Sequence, residues 1–451
     1  MLQGKMKLKW LAGAVLSACL LIQSGTVGSA ASIEVQGEGA TASYWVKRTD
    51  NGDALLLTSE EIEAVNRKIR QPNSWLTDLA QYPETVPADD IRASMVATML
   101  DYAEDSLPEL YKNGARLTQY SFEHAKQNCN MEALPAVQQV RYAVACQRAN
   151  MRLLPEAAGW LDSTAEIDSH YDNLQGTAVD PAEPMVVLAE SADHQFVFAR
   201  TRNYMGWVQM GSIAFTDRDT WMEYVAPKDF LVVTADKKQV HVGGAWSVTF
   251  QMGSVIPLTA PAKQGGQWTA KIPVDVNTHL SEAVVSIADD DTVHKGWLPC
   301  TQNNFIRQGF RFLGDVYGWG GQDESVDCSA FVGDVYRTMG IELPRDADKQ
   351  EELMPVQVPL AALGTAERYG EIKKTMPGSL LFISGSHVMM YLGQDEAGTP
   401  MVLHSASSYY TFPEGVPEKQ YIRKVLVSDL RYMNKSQVQA IDRISSIGFL
   451  K

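Results

Sequence analysis

The chain has 451 residues, of which 45% are hydrophobic and 21% charged, and its formal net charge is −15 at pH 7. This length is enough for about two to four domains, each with its own core. The acidic balance argues against a nucleic-acid-binding protein, because phosphate backbones would be repelled rather than attracted.

The first residues, 1–31, predict a secretory signal peptide. Three lysines precede the apolar stretch "WLAGAVLSACLLI" at 10–22, and small residues follow it, which is the order of the three regions of such a signal. Cleavage is expected after Ala30 or Ala31. The stretch is too short and too poorly flanked for a spanning helix.

A lipoprotein signal remains the alternative, because "LSAC" at 16–19 reads as a lipoprotein processing box. Cys19 would then carry lipid at the new N-terminus. Both interpretations predict export to the periplasm or cell envelope, with membrane attachment only if Cys19 is lipidated.

The other cysteines are Cys129, Cys146, Cys300 and Cys328. An oxidising compartment permits disulfides, but a chain of this size does not need them. Cys129 and Cys146 are either a pair or, as the favoured interpretation, two separate buried thiols. Neither C-x-x-C nor H-x-x-x-H spacing occurs in the sequence, so no metal site is predicted.

Residues 32–137 predict a helical segment. One run opens with the cap residue Thr58 and repeats apolar residues at helical spacing as far as Ile69. A second helical run lies between Pro87 and Pro108. Nothing in this segment suggests chemistry, so we interpret it as a scaffold.

Residues 138–216 and 217–300 predict two small β-barrels, because short alternating runs such as "PMVVLAES", "HQFVFART" and "DFLVVTA" are separated by turns. Gly206 and Gly296, ninety residues apart, each open a Gly-Trp pair at the end of a strand-rich block. This echo favours two copies of one barrel type, although both tryptophans as plain core residues is the simpler alternative. The polar stretch "DNLQGTAVD" at 172–180 predicts an inserted loop.

Residues 301–451 predict an α+β domain. A helix near 303–314 leads to the glycine-rich turn "YGWGG", and an amphipathic helix then runs from Cys328 to Gly340. The runs "SLLFIS", "HVMMYLG", "MVLHSAS" and "YIRKVL" follow as strands. A helix followed by an antiparallel meander is the order of a papain-like core.

Cys328 is the candidate nucleophile in this domain. If Asp327 caps the helix, Cys328 lies in its first turn, where backbone N–H groups and the helix dipole favour the thiolate. Of the eight histidines, His387 and His404 alone belong to the strands that follow, and neighbouring antiparallel strands bring side chains within about 5 Å. One ring would accept the thiol proton while the other fixes its tautomer. Two exposed strand histidines are the alternative interpretation.

Five blocks of sequence carry a resemblance to a known family. They are "YGWGG" (317–321), "DCSAFV" (327–332), "GIELPRDADKQ" (340–350), "PGSLLFISGSHVMMYLG" (377–393) and "VLHSAS" (402–407). In order and context they resemble the NlpC-type papain-like cell-wall cysteine peptidases. Upstream, "RYAVACQRANMRLLP" and "EPMVVLAESADHQFVFARTRNYMGWV" resemble the bacterial SH3-like domains that precede this catalytic domain in γ-D-glutamyl-L-diamino acid endopeptidases.

The resemblance implies a multidomain fold, in which an α+β papain-like catalytic domain follows an N-terminal helical segment and two small SH3-like β-barrels. It also implies catalytic roles for four residues. Cys328 is then the nucleophile, His387 the general base and His404 the residue that orients it. Tyr317 stabilises the developing oxyanion.

The resemblance further implies a site for the substrate's amino end. Asp327 and Ser329 match positions that hold the free amino group of an N-terminal L-alanine, and Asp346 matches a polar residue at the same end of the pocket. Tyr204 and Glu183 are candidates for the barrel's contribution to the cleft, with ordinary strand and loop roles as the alternative. Three positions depart from the family pattern and affect the expected pocket size: Ala330, Ser386 and Met389.

The resulting hypothesis is an exported cysteine peptidase that hydrolyses the γ-D-glutamyl–diamino acid bond of peptidoglycan stem peptides with a free N-terminal L-alanine, in cell-wall turnover or recycling. It implies no metal, no organic cofactor and no nucleic-acid partner, and it leaves the oligomeric state open. Two alternatives remain. One is a catalytically silent peptidoglycan-binding module, and the other is a same-fold amidase or acyltransferase acting on another substrate.

Overall fold

A computed structural model describes residues 33–70, 76–99 and 108–451. The predicted signal peptide at 1–31, with Cys19, lies outside the described residues. From Ile33 onward the chain belongs to one structural unit. Within the described ranges, no helix combines the length and apolar character needed to cross a membrane.

The described residues before 138 contain four short α-helices with short strands between them, and an N-terminal helical segment as a separate unit stays a prediction. Its elements are α1 (Ala42–Arg48), β1 (Leu55–Leu57), α2 (Ser59–Ile69), β2 (Thr85–Pro87), α3 (Ala88–Thr98), β3 (Tyr111–Lys112), β4 (Ala115–Arg116), α4 (Gln119–Asn128) and β5 (Val137–Gln139). Thr58 caps α2 as predicted, accepting a hydrogen bond from the N–H of Glu61 while the Glu61 carboxylate accepts one from the N–H of Thr58. The second predicted helix begins after Pro87 and is described as far as Thr98.

The middle of the chain is built of strands with one helix. The elements are β6 (Arg141–Ala145), β7 (Ala149–Arg152), β8 (Gln175–Val179), β9 (Pro184–Glu190), β10 (Phe196–Arg200), β11 (Met205–Gln209), β12 (Ile213–Thr216), α5 (Arg218–Val225), β13 (Phe230–Val233), β14 (Lys237–Gly243), β15 (Trp246–Gln251), β16 (Val255–Pro257), β17 (Gln267–Val276), β18 (His279–Ala288), β19 (Val293–Lys295) and β20 (Cys300–Thr301). Among the described residues the largest sheet has the order β17-β18-β12-β6-β9-β10-β11-β7-β8.

The strand pairing links the two predicted barrel regions. The long hairpin β17–β18 falls inside the second region, yet it continues the sheet of the first through a bridge between Phe215 and His279. Of the remaining strands of the second region, five form two small sheets, β16-β13-β19 and β14-β15, while β20 pairs with β1 of the N-terminal segment. A second SH3-like barrel stays a prediction. The tryptophans of the two Gly-Trp pairs differ in burial. Trp207 is buried, whereas Trp297 is 41% exposed and packs its ring on that of Phe230.

One loop prediction is wrong. The stretch 172–180, interpreted as an inserted loop, contains strand β8, which pairs with β7. Its alternation of buried and partly exposed residues was obscured in the sequence by the polar residues Gln175 and Thr177, both of which are buried. The reason for their burial is the contact of β8 with the C-terminal domain.

The last 150 residues have the predicted α+β order. The elements are α6 (Gln302–Arg311), α7 (Cys328–Arg337), α8 (Ala347–Leu353), β21 (Val356–Pro359), α9 (Thr365–Lys373), β22 (Leu380–Ile383), β23 (His387–Gln394), β24 (Pro400–Thr411), β25 (Glu418–Ser428), α10 (Ala440–Arg443) and β26 (Ser446–Phe449). The strands form one antiparallel sheet in the order β21-β26-β22-β23-β24-β25. Helix α7 packs its apolar face on this sheet, with Phe331 and Val335 in the same core as Val388 and Leu403.

Candidate active site

Cys328 is the first residue of α7, as predicted. The Asp327 side chain caps the helix by accepting a hydrogen bond from the N–H of Ala330 at 2.9 Å. The helix start faces strand β23, where the backbone N–H of Val388 contacts the Cys328 thiol. Cys129, Cys146 and Cys300 are also free thiols but are buried, so Cys328 is the thiol with solvent access in the described part of the chain.

The protonation state of Cys328 differs from the expectation. Burial, followed by the nearby Asp327 carboxylate, raises the pKa of the thiol to about 12. The helix start and the N–H of Val388 favour the thiolate, but these favourable effects are smaller. Burial and Asp327 thus oppose the thiolate that the helix start alone would favour, and they favour the neutral thiol in the substrate-free protein.

The two strand histidines form a hydrogen-bonded chain in which His387 is half-buried and His404 is fully buried. His387 Nε2 lies 2.7 Å from His404 Nδ1, and His404 Nε2 lies 2.9 Å from the Ser428 hydroxyl. Ser428 in turn donates to the carbonyl oxygen of Asp429 at 2.9 Å. His404 and Ser428 are both 0% exposed. The alternative of two exposed strand histidines is thus wrong.

The hydrogen bond from Ser428 to Asp429 sets the donor and acceptor roles in the whole series of hydrogen bonds. The Asp429 carbonyl can only accept, so the single Ser428 proton points to it. His404 Nε2 then donates to Ser428, which leaves His404 Nδ1 as the acceptor of the His387 Nε2 proton. The remaining nitrogen of His387, Nδ1, therefore carries a free lone pair. This is the tautomer that a base for a thiol proton requires.

Both histidine rings are neutral at pH 7. Burial and then the positive charge of Arg443 lower the pKa of His387 to about 4, while Asp327 acts in the opposite direction. Burial and the adjacent His387 hold the pKa of His404 well below its usual range. The ring of Tyr432 stacks on His404 at 5.6 Å between centroids and restricts its orientation.

Tyr317 lies beside the thiol, in the turn that precedes α7. Burial and the neighbouring Cys328 raise the pKa of its phenol well above the ordinary value, so the hydroxyl keeps its proton and is available as a donor. The ring of Tyr171 lies 6.3 Å from that of Tyr317 between centroids, and the ring of Trp319 lies 6.4 Å from that of Tyr171. This arrangement fits the predicted oxyanion role, which stays a prediction.

Asp327 has a partner that sequence reasoning missed. Arg345 donates to both of its carboxylate oxygens, at 3.1 and 2.6 Å, and also to the Ser329 hydroxyl at 2.9 Å. Gly320 N–H adds a further bond to Asp327 at 3.0 Å. Both members of the ion pair are buried. The charge of Asp327 is thus compensated within the protein, and its role in holding an amino group stays a prediction.

Asp346 is differently placed from Asp327. It precedes α8 and does not cap that helix through its side chain, and no ion pair or hydrogen bond reaches its carboxylate in the described ranges. Burial raises the pKa of this carboxyl, with the nearby Arg345 opposing and Asp327 adding to the effect. A partly buried carboxylate that has no hydrogen-bonded or ion-paired partner gains from a bound cation.

Strand β8 supports the turn that carries Tyr317. The Gln175 amide donates to the carbonyl of Gly320 at 2.8 Å, and Arg148 donates to that of Gly321 at 3.1 Å. Gly320 has φ +56°, and a Cβ there would lie 2.6 Å from Gln175 Cγ, which explains the glycine of "YGWGG". Thr177 accepts from Arg345 Nε at 2.7 Å. The barrel thus braces both the turn and the Arg345–Asp327 pair.

The two barrel candidates lie near this interface. Glu183 is buried and accepts from Arg337 at 2.8 Å, with Arg202 at 3.6 Å. It therefore joins the barrel to the end of α7, as a structural ion pair. Tyr204 packs over Gly176 of β8 and lies near Arg345.

The three residues that depart from the family pattern lie in or next to the elements of the catalytic domain. Ala330 contributes to the core beneath α7, Ser386 ends the loop before His387, and Met389 is buried with its sulfur 3.2 Å from the Tyr432 hydroxyl. Across the described residues, no group of three or more His, Cys, Asp or Glu side chains is arranged to hold a metal ion.

Comparison with known proteins agrees with this geometry. Residues 314–431 match the NlpC/P60 family, and residues 161–209 match the SH3 domain of SH3b1 type. A gamma-D-glutamyl-L-lysine dipeptidyl-peptidase of Bacillus subtilis (strain 168) is 27% identical over 194 residues. That match spans 40% of this chain and 58% of the relative, so it leaves a large part of the relative unmatched.

A solved structure of similar fold covers most of the chain. It is an NlpC/P60 endopeptidase from Photobacterium damselae subsp. piscicida, with a TM-score of 0.75 and 15% identity over 93% of this chain and 98% of that one. At this identity the likeness establishes the fold. The two family matches identify an NlpC/P60 domain at 314–431 preceded by an SH3-like domain at 161–209, in agreement with this fold.

Proposed function

We propose that this protein is an exported cysteine peptidase that hydrolyses the γ-D-glutamyl–diamino acid bond of peptidoglycan stem peptides with a free N-terminal L-alanine. The observation that carries the proposal is the directed chain from the Asp429 carbonyl to His387, which leaves Nδ1 of His387 free as a base for Cys328. The name of the Bacillus subtilis relative, a gamma-D-glutamyl-L-lysine dipeptidyl-peptidase, supports this choice of bond.

The reaction begins with attack of the Cys328 sulfur on the γ-carbonyl carbon of D-glutamate. Because thiol and imidazole are both neutral at rest, the thiol proton passes to His387 Nδ1 as the carbon–sulfur bond forms. The oxyanion that results accepts a hydrogen bond from the Tyr317 hydroxyl. His404 Nδ1 accepts the hydrogen bond from His387 Nε2 and so stabilises the imidazolium.

Collapse of the tetrahedral intermediate breaks the carbon–nitrogen bond. The diamino acid leaves with the proton from His387, and a thioester remains on Cys328. Water then attacks the thioester while His387 accepts one of its protons, which returns to the departing sulfur. The products are L-Ala-D-Glu with a free γ-carboxylate, the diamino acid portion and the restored thiol.

Recognition of the substrate's amino end is assigned to the acidic residues that precede α7 and α8, Asp327 and Asp346. Asp346 supplies the negative charge, because Asp327 is already paired with Arg345. Ser329 and Asp327 offer oxygen atoms at the same end of the pocket. A carboxylate placed there favours a free ammonium over an acylated nitrogen, which would restrict the enzyme to stem peptides with an unsubstituted alanine.

The test compares the mature protein with Cys328→Ala and, as a matched control, Cys300→Ala, which removes a buried thiol outside the site. Each is incubated with L-Ala-γ-D-Glu-diaminopimelate, with and without N-acetylation of the alanine. We expect release of diaminopimelate from the free-amine peptide by the wild type and Cys300→Ala, and none by Cys328→Ala. Binding to cell-wall sacculi without cleavage would instead establish a binding module. Equal cleavage of the acetylated peptide would refute the role given to Asp346.

A further inference from the structure

Arg443, at the end of α10, differs from the other inward-facing arginines. Arg152 and Arg345 are bonded to carboxylates, and Arg368 is bonded to backbone carbonyls. The Nε of Arg443 is buried without a hydrogen-bond partner, and no ion pair or hydrogen bond reaches its side chain anywhere in the described part of the chain. Because Arg443 as a whole is only half-buried, an acceptor from outside the protein can reach its guanidinium.

The position of Arg443 is on the histidine side of the site. Its guanidinium carbon lies 6.0 Å from the ring centroid of Tyr432, whose ring stacks on His404. Two residues further on, the hydroxyl of Ser445 accepts from the N–H of Ser384, in the loop that leads into His387. Arg443 therefore lies near the base, and after burial its charge is the largest influence on the pKa of His387.

The proposed reaction identifies what lies against His387. A general acid must be within hydrogen-bond reach of the leaving nitrogen when it gives up its proton. The departing diamino acid thus occupies the His387 side of the cleft, and the acyl part occupies the side of Asp327 and Asp346. Diamino acids of stem peptides carry at least one carboxyl group beyond the reacting amine, and Arg is the side chain best suited to bind a carboxylate.

Resting on the proposed function, we propose that Arg443 binds a carboxylate of the departing diamino acid and so makes this carboxylate a specificity determinant. The two ends of the site then carry opposite charges, with Asp346 for the substrate's ammonium and Arg443 for its leaving-side carboxylate. This matches the charge distribution of a stem peptide with a free amino terminus. Peptides whose diamino acid carboxylate is converted to a carboxamide would then be cleaved less efficiently, because Arg443 loses its anionic partner.

Binding of that carboxylate also changes His387. The groups that face His387 are Asp327 and Cys328 from α7, His404 from β24, Tyr432 after β25, and Arg443. Of these, Arg443 lowers the pKa of His387, because its positive charge disfavours the imidazolium. A bound carboxylate neutralises this charge, so His387 becomes a stronger base in the substrate complex than in the free protein.

The experiment compares wild type, Arg443→Gln, Arg443→Lys and a control, Arg67→Gln, on the exposed face of α2. The substrates are L-Ala-γ-D-Glu-diaminopimelate and its analogue with the diaminopimelate carboxylates converted to carboxamides. We expect the wild type and the control to favour the carboxylate peptide by about 10- to 100-fold in kcat/KM. Arg443→Gln should lose this preference by slowing cleavage of the carboxylate peptide alone, and Arg443→Lys should keep most of it.

The pH dependence supplies a second measurement. For the wild type and the carboxylate peptide, the acid limb of kcat should lie at higher pH than that of kcat/KM, because kcat reports the complex. In Arg443→Gln the two limbs should converge. An equal loss on both peptides with unchanged limbs, or a wild type with no preference, would overturn the inference and leave the proposed function intact. Cleavage of neither peptide by the wild type would overturn the proposed function and the inference with it.

Discussion

Replacement of Ser428 by alanine tests the direction of the hydrogen-bond chain. The Ser428 hydroxyl accepts from His404 Nε2 and donates to the Asp429 carbonyl. Without it, a proton on His404 Nε2 has no acceptor in a fully buried position. His404 then prefers the tautomer with its proton on Nδ1, which forces His387 to carry its own proton on Nδ1. In that state His387 cannot accept the thiol proton.

The expected loss follows from the cost of that unpaired group. A buried N–H without an acceptor costs about 1–3 kcal/mol, which changes the tautomer ratio by roughly 5- to 150-fold. Because the active tautomer alone supports proton transfer, kcat for stem-peptide cleavage should fall by a similar factor. KM should change little, since neither Ser428 nor His404 contacts the substrate in the proposed reaction.

The assay is steady-state cleavage of L-Ala-γ-D-Glu-diaminopimelate by wild type, Ser428→Ala and Ser428→Thr, with the unfolding midpoint of each variant as the measure of fold integrity. Threonine keeps the hydroxyl and should restore most of the activity, even where its extra methyl group lowers stability. A Ser428→Ala variant with kcat within about twofold of wild type would refute the reasoning. So would equal losses in the alanine and threonine variants.

Three further predictions concern the surroundings of the site. Arg345→Leu should lower the free energy of unfolding by about 3–5 kcal/mol, because it leaves the Asp327 carboxylate buried and unpaired; adding Asp327→Asn should recover most of the loss in chemical denaturation. Burial, then Asp180, raises the pKa of Asp334 to about 7. The unfolded chain releases the Asp334 proton near pH 4, and the folded protein releases it only near pH 7. The contribution of Asp334 to the free energy of unfolding therefore falls as the pH rises from about 4 to about 7. Asp334→Asn should accordingly stabilise the protein by about 2–4 kcal/mol at pH 8 and very little at pH 4, and equal unfolding midpoints at pH 8 would contradict this. Gly320→Ala should lower both stability and kcat/KM, since its φ is positive and its Cβ would meet Gln175; Gly370→Ala, with open space around it, is the control that should leave kcat/KM unchanged.

Several helices and strands were readable from the sequence, because they have strong local patterns. The cap at Thr58, the start of α7 at Asp327 and the strands that carry His387 and His404 were all predicted correctly. Strand β8 was missed because its polar residues are buried by a contact with a distant part of the chain. Local polarity indicates exposure only where no such contact exists.

The sequence by itself determined which groups perform the proposed chemistry: a cysteine after a helix cap, followed by histidines on neighbouring strands. The tertiary structure alone decided their protonation and charge. Burial outweighs the helix dipole at Cys328, and Arg345 neutralises Asp327. The Asp429 carbonyl sets the direction of the histidine chain. These properties depend on solvent exclusion and on partners far apart in the chain, and neither is encoded in local sequence patterns.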